Sequence, residues 1–268
     1  MRPIIDNTLQ TIYAKNDHYI SQLSKTNTKI AANATNIPII NASGFKADDF
    51  VIIENIGDER AEITQVNSIL GNTLYVNTLV FDHENKINIS RATYNMVNFY
   101  EKNTIITSIA IQPDYYTGID HAVSYENEYA ISFYNSETTK ESPKGETITG
   151  YDNLLCSIGD LAKYEDVSTF SGKIIDKIDL ASIEIRNKFT AQEQAINDLT
   201  NRELLRLPTA LLALYYTFNE LIKVKDDMPS HKAIKYKQAY DDKLIEVSQV
   251  INKTDDNVKF FGQSSISR

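Results

Sequence analysis

A single cysteine, Cys156, stands among 268 residues. That excludes an internal disulfide and any zinc or iron–sulfur cage built from several cysteines. Four histidines, His18, His83, His121 and His231, fall in no HExxH or HxH spacing. A histidine metal site would have to be assembled from distant parts, and solvated loop positions are the expectation for all four. The nine glycines never form GxGxxG or a P-loop pattern, so no phosphate cradle is written in the chain. No run approaches the roughly 18 apolar residues of a spanning helix, and the opening MRPIIDNTLQTIYAK has no signal-peptide core. The expectation is a soluble chain with no membrane partner, not exported by the standard route.

What is present is ordinary globular composition: 42% apolar, 24% charged and 10% aromatic residues. At about 150 residues per domain the length suggests two domains, or one with a large insertion. The net charge of −9 is unevenly spread. Residues 1–35 carry four Lys/Arg against two Asp/Glu, residues 36–148 seven against sixteen, and residues 149–268 sixteen against eighteen, giving +2, −9 and −2. A middle third at −9 repels phosphate, which argues against sequence-independent DNA gripping but suits a surface that DNA must pass without sticking.

Residues 1–35 are polar, with a weak helical pattern at Ile12, Ile20 and Leu23, and read as an arm or short helix at the edge of the fold. From position 36 the period becomes that of strands: Ile37–Ile40, Phe50–Ile53, Ala61–Val66, Thr73–Val76 and Lys86–Ser90, with Gly71-Asn72 as a hairpin tip. Met96–Tyr100, Ile105–Ile111 and Tyr129–Asn135 extend the pattern. Short antiparallel strands at this density predict a β-barrel or β-sandwich over 36–148. The polar segment 135–150, with Pro143 and Gly145, is expected to end it.

After 150 the period becomes 3.6. Ser157-Ile-Gly-Asp160 has the form of a capping arrangement before a short helix. Ile174, Ile178, Ala181, Ile185 and Phe189 form one apolar stripe. Pro208 stands at a helix start ahead of Leu211, Leu214, Tyr215, Phe218, Leu221 and Ile222. A last helix carries Tyr236, Tyr240, Leu244, Val247 and Ile251. Four helices, the last two long, predict a compact bundle over 149–252, followed by a C-terminal arm, 253–268. The fold class expected is therefore α+β.

Catalytic patterns are scarce. Asp120-His121 lacks an accompanying GxSxG elbow, and Cys156, beside Leu154 and Leu155, has the surroundings of a small packed residue. Acidic pairs such as Asp48-Asp49 and Asp226-Asp227 are adjacent in sequence, so their side chains diverge. No enzyme, cofactor or metal site is expected.

The feature above background is aromatic. Tyr94, Phe99, Tyr100, Tyr115, Tyr116, Tyr125, Tyr129, Phe133, Tyr134 and Tyr151 crowd one part of the chain. They fit either cross-strand packing or a partner surface. In Tyr129–Tyr134 the residues Tyr129, Ile131 and Phe133 share one face, and Tyr134 lies on the other. Tyr115, Tyr116, Tyr125 and Tyr134 are the candidate interface residues, together with Phe260 and Phe261 in the tail. The two phenylalanines either pack back on the helices or insert into a neighbouring subunit.

The helical part, Leu155-Cys-Ser-Ile-Gly-Asp-Leu-Ala-Lys-Tyr164, the stripe Ile174–Ile185, Pro208–Phe218 and the Tyr236, Tyr240, Leu244 spacing, resembles the head–tail connector (neck adaptor) proteins of tailed bacteriophages. The match covers residues 151–252. Ile37 to His83 is similar to a small β module of phage neck, tail and baseplate proteins, and Glu128–Thr138 looks like the last strands of a fibronectin-type sandwich. About 150 residues of β structure ahead of the helices depart from simple connectors.

The resemblance implies a structural virion protein in the neck or tail, assembled in the host cytoplasm into a homo-oligomeric ring of about twelve copies. Its implied partners are the portal protein and other neck or tail proteins, with genomic DNA passing through unbound. The alternative is a tail or baseplate accessory protein whose β region binds other tail proteins or host glycans.

Overall fold

The computed structural model describes residues 2–16, 20–170, 173–190, 202–223 and 227–254. Two compact units divide the chain: Met1–Pro3 with Thr11–Gly150, and Ile4–Gln10 with Tyr151–Arg268. The fold is α+β, with antiparallel sheets in the first unit and a helical C-terminal region in the second.

In chain order the first strands are β1 (Ile4–Asp6), β2 (Thr11–Lys15), β3 (Ile20–Lys25), β4 (Asn36–Pro38), β5 (Phe50–Ile53), β6 (Glu62–Leu70) and β7 (Thr73–Val76). They are followed by β8 (Asn88–Ala92), β9 (Met96–Glu101), β10 (Thr104–Ala110), β11 (Tyr116–Asp120), β12 (Glu128–Tyr134) and β13 (Ile148–Thr149). A six-stranded sheet has the order β3-β8-β5-β6-β7-β4, every pair antiparallel. Alternation in β5 explains its core: Val51 and Ile53 point into a cluster with Ile37, Ile39, Leu74 and Ile89, while Ile52 points the other way toward Ile56 and Ala92. Gly71, at φ +58°, takes the left-handed turn between β6 and β7. The outermost strands β3 and β4 do not pair along their lengths. Only Thr26 and Ile39, just beyond them, form an isolated bridge, so the expected barrel is not closed.

The second sheet runs β10-β9-β12-β13. Tyr129, Ile131 and Phe133 are buried on one face with Val97 and Phe99 opposite them in β9. Segment 135–150 does not simply leave the sheet. Ser142 and Gly145 donate backbone N–H groups to Phe133 and Ile131, and β13 then pairs with β12.

The N-terminal segment corrects the reading of residues 1–35 as an arm or short helix. It forms β1, β2 and β3, with Ile12 and Ala14 buried. Their two-residue spacing is that of a strand, and β2 pairs with β11, about a hundred residues downstream.

The helices are α1 (Ile158–Leu161), α2 (Ile174–Thr190), α3 (Arg206–Leu221) and α4 (Met228–Thr254). Among the described residues three are long, not two: α2 has 17 residues against 16 in α3. All five stripe residues of α2, Ile174, Ile178, Ala181, Ile185 and Phe189, are buried. Full burial of one such apolar side chain contributes about 1.5–3 kcal/mol, so this stripe, rather than helix propensity, holds α2 in place. Pro208 sits in the first turn of α3, where its missing N–H costs no helical bond. α3 packs on both α2 and α4. At the α3–α4 contact Phe218 stacks on Tyr236 with ring centroids 5.7 Å apart, and the edge of Phe170 meets Phe218 at 5.5 Å.

Candidate functional site

The helical region is tied together by three carboxylates. Asp160 follows from the Ser157-Ile-Gly-Asp sequence: as the third residue of α1 it accepts the Ser157 backbone N–H at 3.0 Å, the return half of a capping box. That turn aims its oxygens at α3. Arg206 reaches them with Nη2 at 3.0 Å from both and Nε at 3.2 Å, and Lys163 Nζ lies 2.9 Å away. Burial alone would raise the Asp160 pKa, but the Ser157 N–H, Lys163 and Arg206 outweigh it and hold the carboxyl down at about 2.

Glu165, just past α1, takes hydrogen bonds from Lys232 and Tyr236 of α4, both at 2.6 Å. Burial opposes its ionisation and these two donors reverse that, so its pKa is lowered. Glu184 of α2 accepts the Tyr216 hydroxyl of α3 and pairs with Lys188, which donates to the buried Tyr240 hydroxyl at 2.8 Å. The regularly spaced tyrosines of α4 thus have two jobs: their rings fill the helix interface and their hydroxyls bond groups on other elements.

Beside the Asp160–Arg206 pair lies a cleft of about 420 Å³, walled by Leu204, Leu207, Val247 and Val250. Its charged groups are consumed in mutual pairs, so its open surface is apolar walls with a salt-bridged rim. That arrangement suits an apolar side chain of another segment better than a reacting substrate.

No family model matches the chain, and no curated protein matches it. Among solved structures, 27% of this chain is similar to 14% of the Gp54 tailspike of Acinetobacter baumannii bacteriophage AP22, solved in complex with A. baumannii capsular saccharide. The identity is 19% and the TM-score 0.25, a partial likeness on which no part of the functional reading rests.

The tyrosines singled out from sequence differ in their surroundings. Tyr115 is half-buried against Ile52, Ile56 and Ala92. Tyr116 packs edge-on to Tyr13 at 6.2 Å. Tyr134 is half-buried at the end of β12, paired with Met96 and bridged to Glu141. Tyr125, before the start of β12, is 46% exposed. The polar cover of the sheet comes from Glu141, which accepts from Asn98, Tyr100 and Ser132. Phe260 and Phe261 lie outside the described residues, as does His18.

His83 overturns the expectation of a solvated loop. Its ring is fully buried, with Nδ1 2.9 Å from Glu54 Oε1 and Nε2 2.7 Å from Glu62 Oε1. Glu62 in turn accepts the backbone N–H groups of Val80 and Phe81. The only local signal is Asp82-His83-Glu84, which reads as a polar turn; the acids that hold the ring stand 29 and 21 positions earlier. His231 is exposed but lies on α4, not in a loop. Asp120 and His121 engage different groups, Thr11 and Glu101 respectively, and do not form a dyad. Cys156 is buried, as its apolar neighbours suggest, and burial pushes its thiol pKa far up, away from nucleophilic use.

Proposed function

We propose that this chain is a structural virion protein of a tailed bacteriophage, acting as a head–tail adaptor: a ring of like copies between portal and tail through which the genome passes. The observation that carries the reading is the outer surface of the helical region. Leu180 on α2, Leu221 on α3, and Met228 and Val250 on α4 all stand in water. Apolar side chains on three different helices fit a subunit that meets several neighbours, and a ring member needs at least two unlike surfaces. The capping turn, stripe and tyrosine spacing that resemble connectors are here the residues that hold this region together. The acidic stretch 36–148 supports passage of DNA without adhesion.

A second reading, a tail accessory protein that binds through its β region, is favoured by three exposed apolar side chains of that region, Tyr75, Val80 and Phe81. Mixing the purified full chain with portal protein and imaging the product by electron microscopy separates the two. Closed rings on portal are expected for the adaptor, and polar replacement of Leu180 and Leu221 should abolish them. A chain that ignores portal, yet is retained on purified tails unless Val80 and Phe81 are made polar, sinks the adaptor and leaves the accessory reading.

A further inference from the structure

Helix α4 carries a second apolar line, exposed among the described residues. Its inward face, Ala233, Tyr236, Tyr240, Leu244 and Val247, is buried. On the outward side Ile234 and Ile245 are 59% and 53% exposed. Eleven residues make three turns to within about 20°, so the two isoleucines stand in line, about 16 Å apart. Gln238 lies between them, exposed. At 100° per residue Lys235 and Asp242 flank one side of this line, and Lys237 and Asp241 the other.

Charge around the middle of this line is ordered: Lys235 and Lys237 precede its midpoint and Asp241 and Asp242 follow it, while Lys243 and Glu246 beyond them pair with each other at 2.7 Å. A neighbouring α4 running antiparallel sets the lysines of each copy level with the aspartates of the other.

We infer that the outward face of α4 pairs antiparallel with α4 of a second copy of this chain about a two-fold axis near residues 239–240. In that register Ile234 of each copy meets Ile245 of the other. Lys235 lies beside Asp242 on one flank and Lys237 beside Asp241 on the other, and the symmetry makes each contact twice. The Lys237–Asp241 pair already formed within one helix, at 2.5 Å, is shared across the axis. A parallel neighbour would set Lys235 against Lys237 and Asp242 against Asp241, like charge against like, so the charges select one direction. The contact is isologous and closes on itself. It is therefore not the ring contact, and it stands whether or not the adaptor reading holds.

One helix face is smaller than a standard interface of about 1,600 Å², so the pair is expected to form at micromolar concentrations and to weaken with salt. Sedimentation of the full chain across that range should give a concentration-dependent monomer–dimer equilibrium. K235E and D242K should each raise the dissociation constant about tenfold, and K235E/D242K should restore it, because reversed charges again face each other. Cysteine trapping fixes the register. I234C mixed with I245C should oxidise to a disulfide-linked dimer, whereas I234C alone should not, since two copies of that position lie about 16 Å apart in the antiparallel pair. The native thiol, Cys156, is buried and adds no background. The proposal is overturned by a chain monomeric throughout with no trapped dimer, by a double reversal no better than the single ones, or by efficient trapping of I234C alone.

Discussion

Arg206 holds Asp160 through three hydrogen bonds, two of them from a single nitrogen 3.0 Å from each carboxylate oxygen, and so fastens the first turn of α3 to α1. The capping turn and the helix contact depend on one ionised group. Asp160 is nearly enclosed, although Arg206 is 39% exposed, so the pair is discounted for solvent screening to about 1–2 kcal/mol. Its pKa lies below the ordinary value, so this stability is present above pH of about 4 and is lost as pH falls through about 2. Urea unfolding of the wild type and D160N should show a gap of that size near neutral pH. The gap should close on acidification, whereas a gap unchanged at low pH would remove the ionised carboxylate from the explanation.

His83 supports a different expectation. Glu54 and Glu62 are both largely enclosed beside its ring. His83→Leu keeps the volume roughly but leaves two carboxylates facing each other without a donor between them. Leaving a buried polar group without its hydrogen-bond partner costs about 1–3 kcal/mol. Thermal unfolding should lose more in H83L than in H121L, because His121 is partly exposed and touches one carboxylate at 3.4 Å. Equal losses would mean that the two-sided clamp has no special weight.

These two sites differ in how far they can be read from the chain. Asp160 is legible because its partner Ser157 is three residues away and the capping pattern is local. The stripe of α2 and the alternation of β5 are legible for the same reason: 3.6 and 2 are short periods. His83 is not, since its acids come from β6 and from the residue after β5, and nothing near position 83 announces them. Strand β2 was hidden likewise. It offers only Ile12 and Ala14 to the core, and its ladder partner β11 is remote in sequence. The tyrosines fall between these cases. Alternation tells which face of β12 each side chain takes, but the cover over the second face comes from the polar stretch around Glu141, which carries no hydrophobic signature.

Cys156 gives a direct reading of opening in the helical region. Its thiol is buried, and enclosure disfavours the thiolate that reagents attack. A thiol-reactive dye should label the native chain only as fast as the region unfolds, and mild denaturant should accelerate labelling in step with loss of helical circular dichroism. Fast stoichiometric labelling without denaturant would mean that the turn before α1 opens by itself.

Gly57 and Gly71 separate backbone strain from steric conflict. Both have positive φ, +85° and +58°, but their surroundings differ. A Cβ on Gly57 would lie 2.2 Å from the Tyr115 ring, whereas one on Gly71 would meet nothing within 4 Å. Gly71→Ala therefore carries only the left-handed penalty of about 1 kcal/mol. Gly57→Ala carries that penalty and must also push Tyr115 off Ile52, Ile56 and Ala92, for a total of about 3 kcal/mol. Truncating the ring in a Gly57→Ala, Tyr115→Ala chain should make the added cost of the alanine at 57 fall back toward that at 71. If the two alanines cost the same in the wild-type background, the Tyr115 ring does not pack over Gly57.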